Sequence, residues 1–138
     1  MISERRASPP LFRVKVKRSR TGLGLYAEED IPKGVKIIEY VGRVMVDEPD
    51  DKKSDKYIFE IDRHIDIDGA PRWNTARYIN HSCRPNAEAY TYAKRAWIRS
   101  RRKIQRGEEI TYDYGEEYWK EHLSNGRCRC KTCTRVTK

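Results

Sequence analysis

This chain of 138 residues lacks any long apolar run, and only 37% of its residues are hydrophobic. Residues 1–10 are charged and hold no apolar stretch, which excludes a secretory signal or membrane anchor in that segment. The sequence also shows no internal repeat, heptad pattern or low-complexity block. The length suits one domain with a modest core. We therefore expect an intracellular protein that makes no membrane contact.

Cysteine is scarce, and its placement is uneven. Three of the four cysteines lie between Cys128 and Cys133. Four cysteines could form disulfides, but this crowding at short spacing is better suited to a metal in a reducing compartment. A bound metal is therefore the favoured interpretation, and a disulfide or free thiols remain the alternatives.

Acidic residues are fewer than basic residues. Thirty lysines and arginines face 21 aspartates and glutamates, which gives a formal charge of +9. A basic balance favours acidic partners such as nucleic acid or chromatin. The alternative is a domain that is merely basic.

Alternating apolar and polar residues indicate short β-strands. The fold should begin at 11–17, where Phe12, Val14 and Val16 alternate with basic residues, and 47–56 should be a solvated, mobile loop. Such a pattern of strands with few helices is typical of a mainly β domain. Further strands are predicted at 35–45 (interrupted at Gly42), 57–61, 64–68, 87–92 and 96–100.

Two glycines separated by one residue, Gly22 and Gly24, allow the backbone to turn or to approach a ligand closely. The segment lacks the third glycine and following helix of a dinucleotide-binding fingerprint. It therefore predicts either a hairpin turn or a ligand-contacting backbone.

The stretch Arg77–Asn86 concentrates polar side chains, with Tyr78 and Ile79 to anchor it in the core. Buried polar groups at this density each need a hydrogen-bond partner, so such a stretch usually lies at a functional site. Its companion is the distant run Glu108–Gly115, which contains Tyr112 and Tyr114.

These motifs stand in a recognisable order: the paired glycines, Asn80-His81, the Tyr112–Gly115 run and the cysteines at the end. From about Val14 to Cys133 the chain resembles the SET-domain protein lysine methyltransferases. The resemblance implies a β-clip-like fold of short strands with a knot-like C-terminal threading that brings Asn80-His81 next to Tyr114. It also implies an N-terminal extension at 1–10, a SET domain at 11–122 and a post-SET zinc-binding tail at 123–138, with no pre-SET segment.

The resemblance implies S-adenosylmethionine as cofactor and S-adenosylhomocysteine as product. It places Tyr114 at the catalytic position and Tyr40 and Tyr112 in the lysine channel. His81 as a general base or metal ligand is the competing interpretation. The implied cofactor contacts are Thr21, Gly22, Leu23, Gly24, Tyr57, Arg77, Tyr78, Asn80 and His81, with Tyr118 or Trp119 covering the adenine.

By the same resemblance, Cys83 joins Cys128, Cys130 and Cys133 to bind Zn²⁺. The spacing departs from the commoner family pattern, because only Lys131 and Thr132 separate the last two cysteines. His122 could replace Cys83 as fourth ligand.

The implied activity is methylation of a lysine in a histone or another basic protein, with mono- to dimethylation expected from Tyr112. The basic surface would suit contact with nucleosomal or other nucleic acid. The alternatives are a catalytically weak SET-fold reader or scaffold, and a basic zinc module that binds nucleic acid. The expected location is nuclear or chromatin-associated in a eukaryote, and cytoplasmic or nucleoid-associated otherwise.

Overall fold

The structure, a computed structural model, describes residues 1–6, 9–20, 22–53 and 56–114. Over these ranges the chain forms eleven strands and two short 3₁₀ turns, which confirms the predicted mainly β class. None of the helical turns there is long and apolar enough to cross a lipid bilayer. The strands are β1 (Ile2–Arg5), β2 (Val14–Ser19), β3 (Gly22–Ala27), β4 (Lys36–Tyr40), β5 (Gly42–Val46), β6 (Ile58–Glu60), β7 (Ile65–Asp68), β8 (Asn80–His81), β9 (Ala87–Tyr92), β10 (Arg95–Ser100) and β11 (Glu109–Tyr112), and the 3₁₀ turns are Asp50–Lys52 and Thr75–Tyr78.

The strands form three small sheets. Their strand orders are β1-β5-β7-β6, β4-β10-β9 and β2-β3-β11-β8. Two antiparallel hairpins are formed, since β6 pairs with β7 and β9 pairs with β10. Among the strands of the described ranges, the only parallel pair joins β8 to β11, and it assembles the candidate site.

The fold begins earlier than the sequence predicts. Strand β1 lies at a sheet edge and pairs with β5, with Ile2 opposite Met45 and Arg5 opposite Gly42. Most of its side chains are exposed, so it carries no alternating apolar signal. Backbone hydrogen bonds to β5 hold this edge strand, and a hydrophobic pattern cannot reveal such bonds.

The core is built from aliphatic side chains that are almost completely buried. It includes Ile79, which is 1% exposed, with Tyr78 packed against the cluster. The polar stretch is therefore anchored as predicted. Buried aliphatic residues stabilise the fold by roughly 1.5–3 kcal/mol each. The leucine and isoleucine members with 0% exposure are Leu25, Ile31, Ile37, Ile67, Ile98, Ile104 and Ile110.

Gly42 permits a close crossing of two chain segments. A Cβ at this position would collide with the backbone carbonyl of Asp68 and approach Gly69 Cα at 3.0 Å. Only glycine allows the backbones to lie this close. The strand is interrupted one residue before the predicted position, at Val41, which separates β4 from β5, and Gly42 is the first residue of β5.

The charged loop at 47–56 is partly ordered by ion pairs. It contains the Asp50–Lys52 turn, and Lys53 Nζ lies 2.5 Å from an Asp66 carboxylate oxygen on β7. The hydrogen bond to Asp66 raises the pKa of Lys53. Asp47 adds a second connection, because its amide donates to the His64 carbonyl at 2.7 Å. The loop is therefore tied to the sheet, which its composition did not indicate.

Asp62 closes the turn between β6 and β7. Its hydrogen bond with Lys94, together with the His64 and Ile65 amides, lowers its pKa from 3.8 to about 2. Because the pKa of Asp62 is lower in the folded chain than in the unfolded chain, its ionised carboxylate stabilises the fold at neutral pH. This stabilisation is lost as the pH falls from the unfolded-state pKa of 3.8 through the folded-state pKa of about 2.

Candidate active site

Parallel pairing of β8 with β11 brings together two segments that lie far apart in sequence. Asn80 is opposite Thr111, and His81 is opposite Tyr112. The Ser82 amide extends the contact by donating to the Tyr112 carbonyl at 3.1 Å. The structure thus joins the two polar stretches that the sequence singled out.

Tyr114 is held by two hydrogen bonds and two ring contacts. Its hydroxyl donates to the Ile79 carbonyl at 2.6 Å, and its amide donates to His81 Nδ1 at 3.1 Å. Its ring lies 5.2 Å from the His81 ring and 5.0 Å from the Tyr112 ring, between centroids. The phenolic proton is committed to Ile79, so the oxygen lone pairs are the groups it can offer to a substrate.

The Tyr114 amide favours one tautomer of His81, whose Nδ1 also lies 3.7 Å from an Asp113 carboxylate oxygen. Because Nδ1 accepts the Tyr114 amide proton, the neutral ring carries its own proton on Nε2. Nε2 lies 3.3 Å from Cys83 Sγ. With these partners, His81 positions Tyr114 and contacts the thiol, which disfavours its interpretation as a general base.

The Asn80 side chain ties β8 to the glycine-containing hairpin. Its amide nitrogen donates to the Leu23 carbonyl at 2.9 Å and to a Glu109 carboxylate oxygen at 2.8 Å. A Cβ on Gly24 would collide with that carboxylate and lie 3.2 Å from the Asn80 amide. Gly24 therefore makes room for this contact, while Gly22 has a φ of +127° that suits glycine.

Glu109 also influences its cross-strand neighbour, Tyr26. Burial raises the pKa of Tyr26 above its ordinary value of 10.0, and the charge of Glu109 raises it further.

Tyr40 and Tyr57 form a second group. Tyr40 is 4% exposed, and its hydroxyl donates to the Tyr57 carbonyl at 2.8 Å. Its ring lies 5.4 Å from that of Phe59. Gly69 lies against the Tyr40 ring, because a Cβ at Gly69 would lie 2.5 Å from two carbons of that ring.

Arg77 lies among the residues predicted to contact the cofactor. Its guanidinium carbon lies 4.5 Å from the Tyr57 ring centroid and 5.1 Å from that of Tyr78. Its Nε is buried and has no hydrogen-bond partner among the described residues. Buried donors rarely stay unsatisfied, and a carboxylate is the strongest partner for a guanidinium. The amino-acid end of S-adenosylmethionine carries such a carboxylate, so this group fits the predicted cofactor.

Two buried asparagines that the sequence interpretation left without a role hold this framework. Asn74 accepts from the Val41 amide at 3.2 Å and donates to the Gly69 carbonyl at 3.0 Å. Asn86 bridges two groups on β11, because it donates to the Glu109 carbonyl and accepts from the Thr111 amide. The density of polar residues was the only sequence signal for Asn86, and nothing singled out Asn74.

Cys83 is the only predicted zinc ligand within the described residues. It is half-buried beside His81, and a thiolate next to an N–H donor fits a metal ligand. Within the described ranges no three histidine, cysteine or acidic side chains form a cluster suited to a metal. The remaining predicted site residues, Thr21, Tyr118, Trp119, Cys128, Cys130 and Cys133, lie outside the described residues, as does the alternative ligand His122.

Comparison with known proteins gives a consistent set of similarities. The sequence model of the SET domain family matches residues 22–115. The chain is 42% identical over 134 residues to the Histone-lysine N-methyltransferase set-2 of Caenorhabditis elegans, which covers 87% of this chain and 9% of that protein. It is 41% identical over 114 residues to Histone-lysine N-methyltransferase 2D of Homo sapiens, covering 73% of this chain and 2% of that protein. Identity to the H3 lysine-4 specific enzyme of Aspergillus oryzae is 39% over 120 residues, covering 78% of this chain and 10% of that protein. The chain thus spans a tenth or less of the length of these relatives.

Proposed function

Because the chain belongs to the SET domain family, whose model matches residues 22–115, we propose that it is a protein-lysine N-methyltransferase that uses S-adenosylmethionine. The observation that carries the proposal is the joining of Asn80-His81 to Tyr112 and Tyr114 through β8 and β11. Relatives named histone-lysine N-methyltransferases support a histone or similar basic protein as substrate. In a eukaryotic cell, such a substrate would place the protein on nuclear chromatin.

S-adenosylmethionine, when bound, supplies a methyl group on a positively charged sulfur. Arg77, Tyr57 and Tyr78 would hold its amino-acid end, and the Gly22–Gly24 backbone with Asn80 and His81 would line the rest. Gly22 and Leu23 are exposed and Gly24 is buried, so a ligand could reach this segment at its first two residues. The contribution of these residues is orientation, which can lower a barrier by several kcal/mol.

The substrate lysine must lose a proton before its nitrogen can attack, although its free pKa is about 10.4. Tyr40, Tyr112 and Tyr114 offer aromatic surface to the aliphatic stem of the lysine. A channel with these walls would lower the lysine pKa by excluding water. The Tyr114 hydroxyl oxygen then accepts a hydrogen bond from the amine and orients its lone pair.

The competing functions make different predictions for two simple measurements. A reader or scaffold would bind S-adenosylmethionine weakly or bind a lysine peptide without modifying it, and a zinc module would need neither. Calorimetry with the cofactor, followed by incubation of histones with methyl-labelled cofactor, separates these cases. Cofactor binding with label on histone lysine supports the enzyme, and binding without any transfer supports the scaffold.

The number of methyl groups added should depend on Tyr112. Its hydroxyl, beside Tyr114, would hold the substrate nitrogen or an adjacent water and hinder rotation of a methylated amine. A net hydrogen bond of ~1 kcal/mol gives roughly a fivefold bias. We expect chiefly monomethyl-lysine with some dimethyl-lysine, and a shift to higher methylation in Tyr112→Phe, measured by mass spectrometry of a saturated reaction.

Tyr92→Phe is the matched control, because it removes a hydroxyl from a tyrosine that is 67% exposed on a different strand. Its product distribution should equal that of the wild type. Accumulation of trimethyl-lysine by the wild type would show that Tyr112 does not limit methylation.

Gly69 tests the position of Tyr40. In Gly69→Ala the new methyl group would lie 2.5 Å from the Tyr40 ring and from the Asn74 amide, so the ring must move. Overpacking of this kind costs roughly 1–3 kcal/mol of stability. Because a displacement of about 1 Å can cost about a hundredfold in rate, turnover of the folded fraction should fall at least about tenfold.

Gly107→Ala provides the matched control for this loss. Gly107 has a φ of +92°, and a Cβ added to it would meet no atom within 4 Å, so alanine there strains only a turn. The control should lose stability while keeping its turnover per folded molecule. Equal turnover in both variants would mean that Tyr40 does not line the reacting centre.

A further inference from the structure

One side of the β4-β10-β9 sheet carries aromatic and basic side chains. Along β10, Ala96, Ile98 and Ser100 are buried, whereas the alternate residues lie on the opposite side. We call this opposite side the aromatic–basic face. It comprises Lys36, Glu39, Glu88, Tyr90, Tyr92, Arg95, Trp97 and Arg99.

The aromatic and basic groups of this face are interleaved. Trp97 is opposite Tyr90, and Arg95 is opposite Tyr92. Lys36 Nζ lies 4.4 Å from the Trp97 ring centroid and 5.7 Å from that of Tyr92. Arg99 lies over the Tyr90 ring at 4.3 Å. Every aromatic ring of the face therefore has a cation within reach.

The face holds more positive than negative charge. Arg95 pairs with Glu39 at 3.2 Å, and Arg99 pairs with Glu88 at 2.5 Å. Lys36 has no ion pair with any carboxylate in the described part of the chain. The exposed Arg101, 3.9 Å from Glu88, adds a further cation at the edge. The uncompensated positive charge is suited to an anionic ligand.

Trp97 has an unused donor. Its indole Nε1 is buried and has no hydrogen-bond partner among the described residues, although buried indoles usually find one. Tyr92, by contrast, is 67% exposed and presents an accessible ring. A ligand that has both acceptor oxygens and flat rings would satisfy both groups.

The turn of the β9-β10 hairpin, formed by Ala93 and Lys94, fixes the positions of Tyr92 and Arg95 on either side of it. Ala93 and Lys94 adopt φ values of 53° and 63°, the turn geometry that places Tyr92 and Arg95 side by side. The tip is held from outside, because the Lys94 carbonyl accepts from Arg5 and its ammonium pairs with Asp62 at 2.8 Å. The face is therefore formed before any ligand binds.

We propose that the aromatic–basic face binds single-stranded nucleic acid. Unpaired bases stack on aromatic rings and on guanidinium planes, while cations bind the phosphates. Tyr92 and the guanidinium of Arg99 would receive bases, and Lys36 and Arg101 would bind phosphates. A duplex hides the faces of its bases, and the acidic residues of a peptide have no flat rings to stack on the aromatic groups, so neither matches this surface as well as a single strand does.

This site is separate from the candidate active site. Ala96 of β10 is opposite Tyr40 of β4, and both are buried on the inner side of the sheet. Binding to the outer side therefore does not depend on methyl transfer. It would also account for the net charge of +9 in a protein proposed to act on basic substrates. A nucleic acid is negatively charged, so it would attract this chain and its basic substrate alike.

Fluorescence anisotropy tests the proposal on the full chain without cofactor. The probes are a labelled thymidine oligomer, its duplex with the adenosine complement, and a polyglutamate peptide of similar charge. We expect tightest binding to the single strand. In Tyr92→Ala this binding should weaken by at least about fivefold, since loss of one stacked base costs that much or more, whereas Tyr92→Phe should bind as the wild type does.

The charge contribution is tested by salt dependence. Lys36→Gln should reduce the slope of log affinity against log salt by about 0.7, the value for one phosphate contact of a single strand. Lys103→Gln is the matched control, because Lys103 is exposed, carries the same charge and lies off the face. Circular dichroism would verify that each variant is folded.

Three results would overturn the proposal. These are equal affinity for duplex and single strand, equal effects of Tyr92→Ala and Tyr92→Phe, and equal slopes for Lys36→Gln and Lys103→Gln. Preference for the peptide over both nucleic acids would instead assign the face to an acidic protein.

Discussion

Tyr114→Phe should lose most of its methyl-transfer turnover, by roughly a hundredfold or more, while it keeps the fold and the affinity for S-adenosylmethionine. The substitution removes one oxygen and leaves the ring, which contacts the rings of His81 and Tyr112. The amide hydrogen bond to His81 does not involve the side chain and is retained. Loss of one preorganised polar group at a reacting centre typically costs a factor of about 10²–10³.

The cause lies in how the hydroxyl is held. It donates its proton to the Ile79 carbonyl at 2.6 Å, which leaves its oxygen as the acceptor that we propose for the substrate amine. Phenylalanine cannot accept a hydrogen bond from the lysine amine. It also leaves the Ile79 carbonyl without this donor, which should lower stability by about 1 kcal/mol.

Calorimetry with the cofactor, thermal unfolding and a methylation assay measure the three quantities separately. Tyr92→Phe again serves as a control, because it makes the same chemical change at an exposed position. Near-normal turnover in Tyr114→Phe would move the catalytic role to another residue.

Removal of the proposed zinc site is the other change with a large expected effect. The purified chain should contain about one zinc per molecule, and Cys130→Ser should lose it. Zinc prefers four ligands in a tetrahedron, and serine cannot supply the thiolate that binds it tightly. Because metal affinity contributes directly to local folding, the variant should also lose most of its activity.

Single substitutions distinguish the possible ligand sets. With four cysteine ligands, Cys83→Ser should lose zinc as Cys130→Ser does, and His122→Ala should keep it. The reverse pattern would identify His122 as the fourth ligand. Equal zinc content in the wild type and in the Cys128, Cys130 and Cys133 triple variant would contradict the metal site itself.

Cys83 explains why activity should depend on this metal. Its Sγ lies 3.3 Å from His81 Nε2, and Nδ1 of the same ring accepts the Tyr114 amide proton. A cysteine held by zinc would keep the His81 ring in place through that contact. The predicted tail at 123–138 would then be fastened to the residues that position Tyr114.

The sequence predicted those parts of the fold that bury one face of a strand. The segments 57–61, 87–92 and 96–100 alternate because one side packs in the core, and the structure has strands at each. Strand β1 was missed, because an exposed edge strand leaves no such pattern. The hydrophobic pattern also could not predict the pairing of β8 with β11, because this pairing joins residues about thirty positions apart. Only the family resemblance anticipated it.

The candidate site was predictable to the extent that its residues belong to motifs. Tyr114, Asn80 and His81 were identified in that way. Asn74 was not, because its role depends on a crossing of Val41 and Gly69 that only the folded chain creates. Likewise, alternation located β10 but not the aromatic–basic face, whose composition depends on the register of β9 and β10.

The central claim, transfer of a methyl group to a protein lysine, is tested most directly by mass spectrometry. The purified chain would be incubated with S-adenosylmethionine carrying an isotopically labelled methyl group and with a panel of core histones and other basic proteins. We predict labelled methyl-lysine, chiefly in the monomethyl form, with the wild type and strongly reduced labelling with Tyr114→Phe. Cofactor binding without label on any lysine, or equal labelling by the two proteins, would contradict the account.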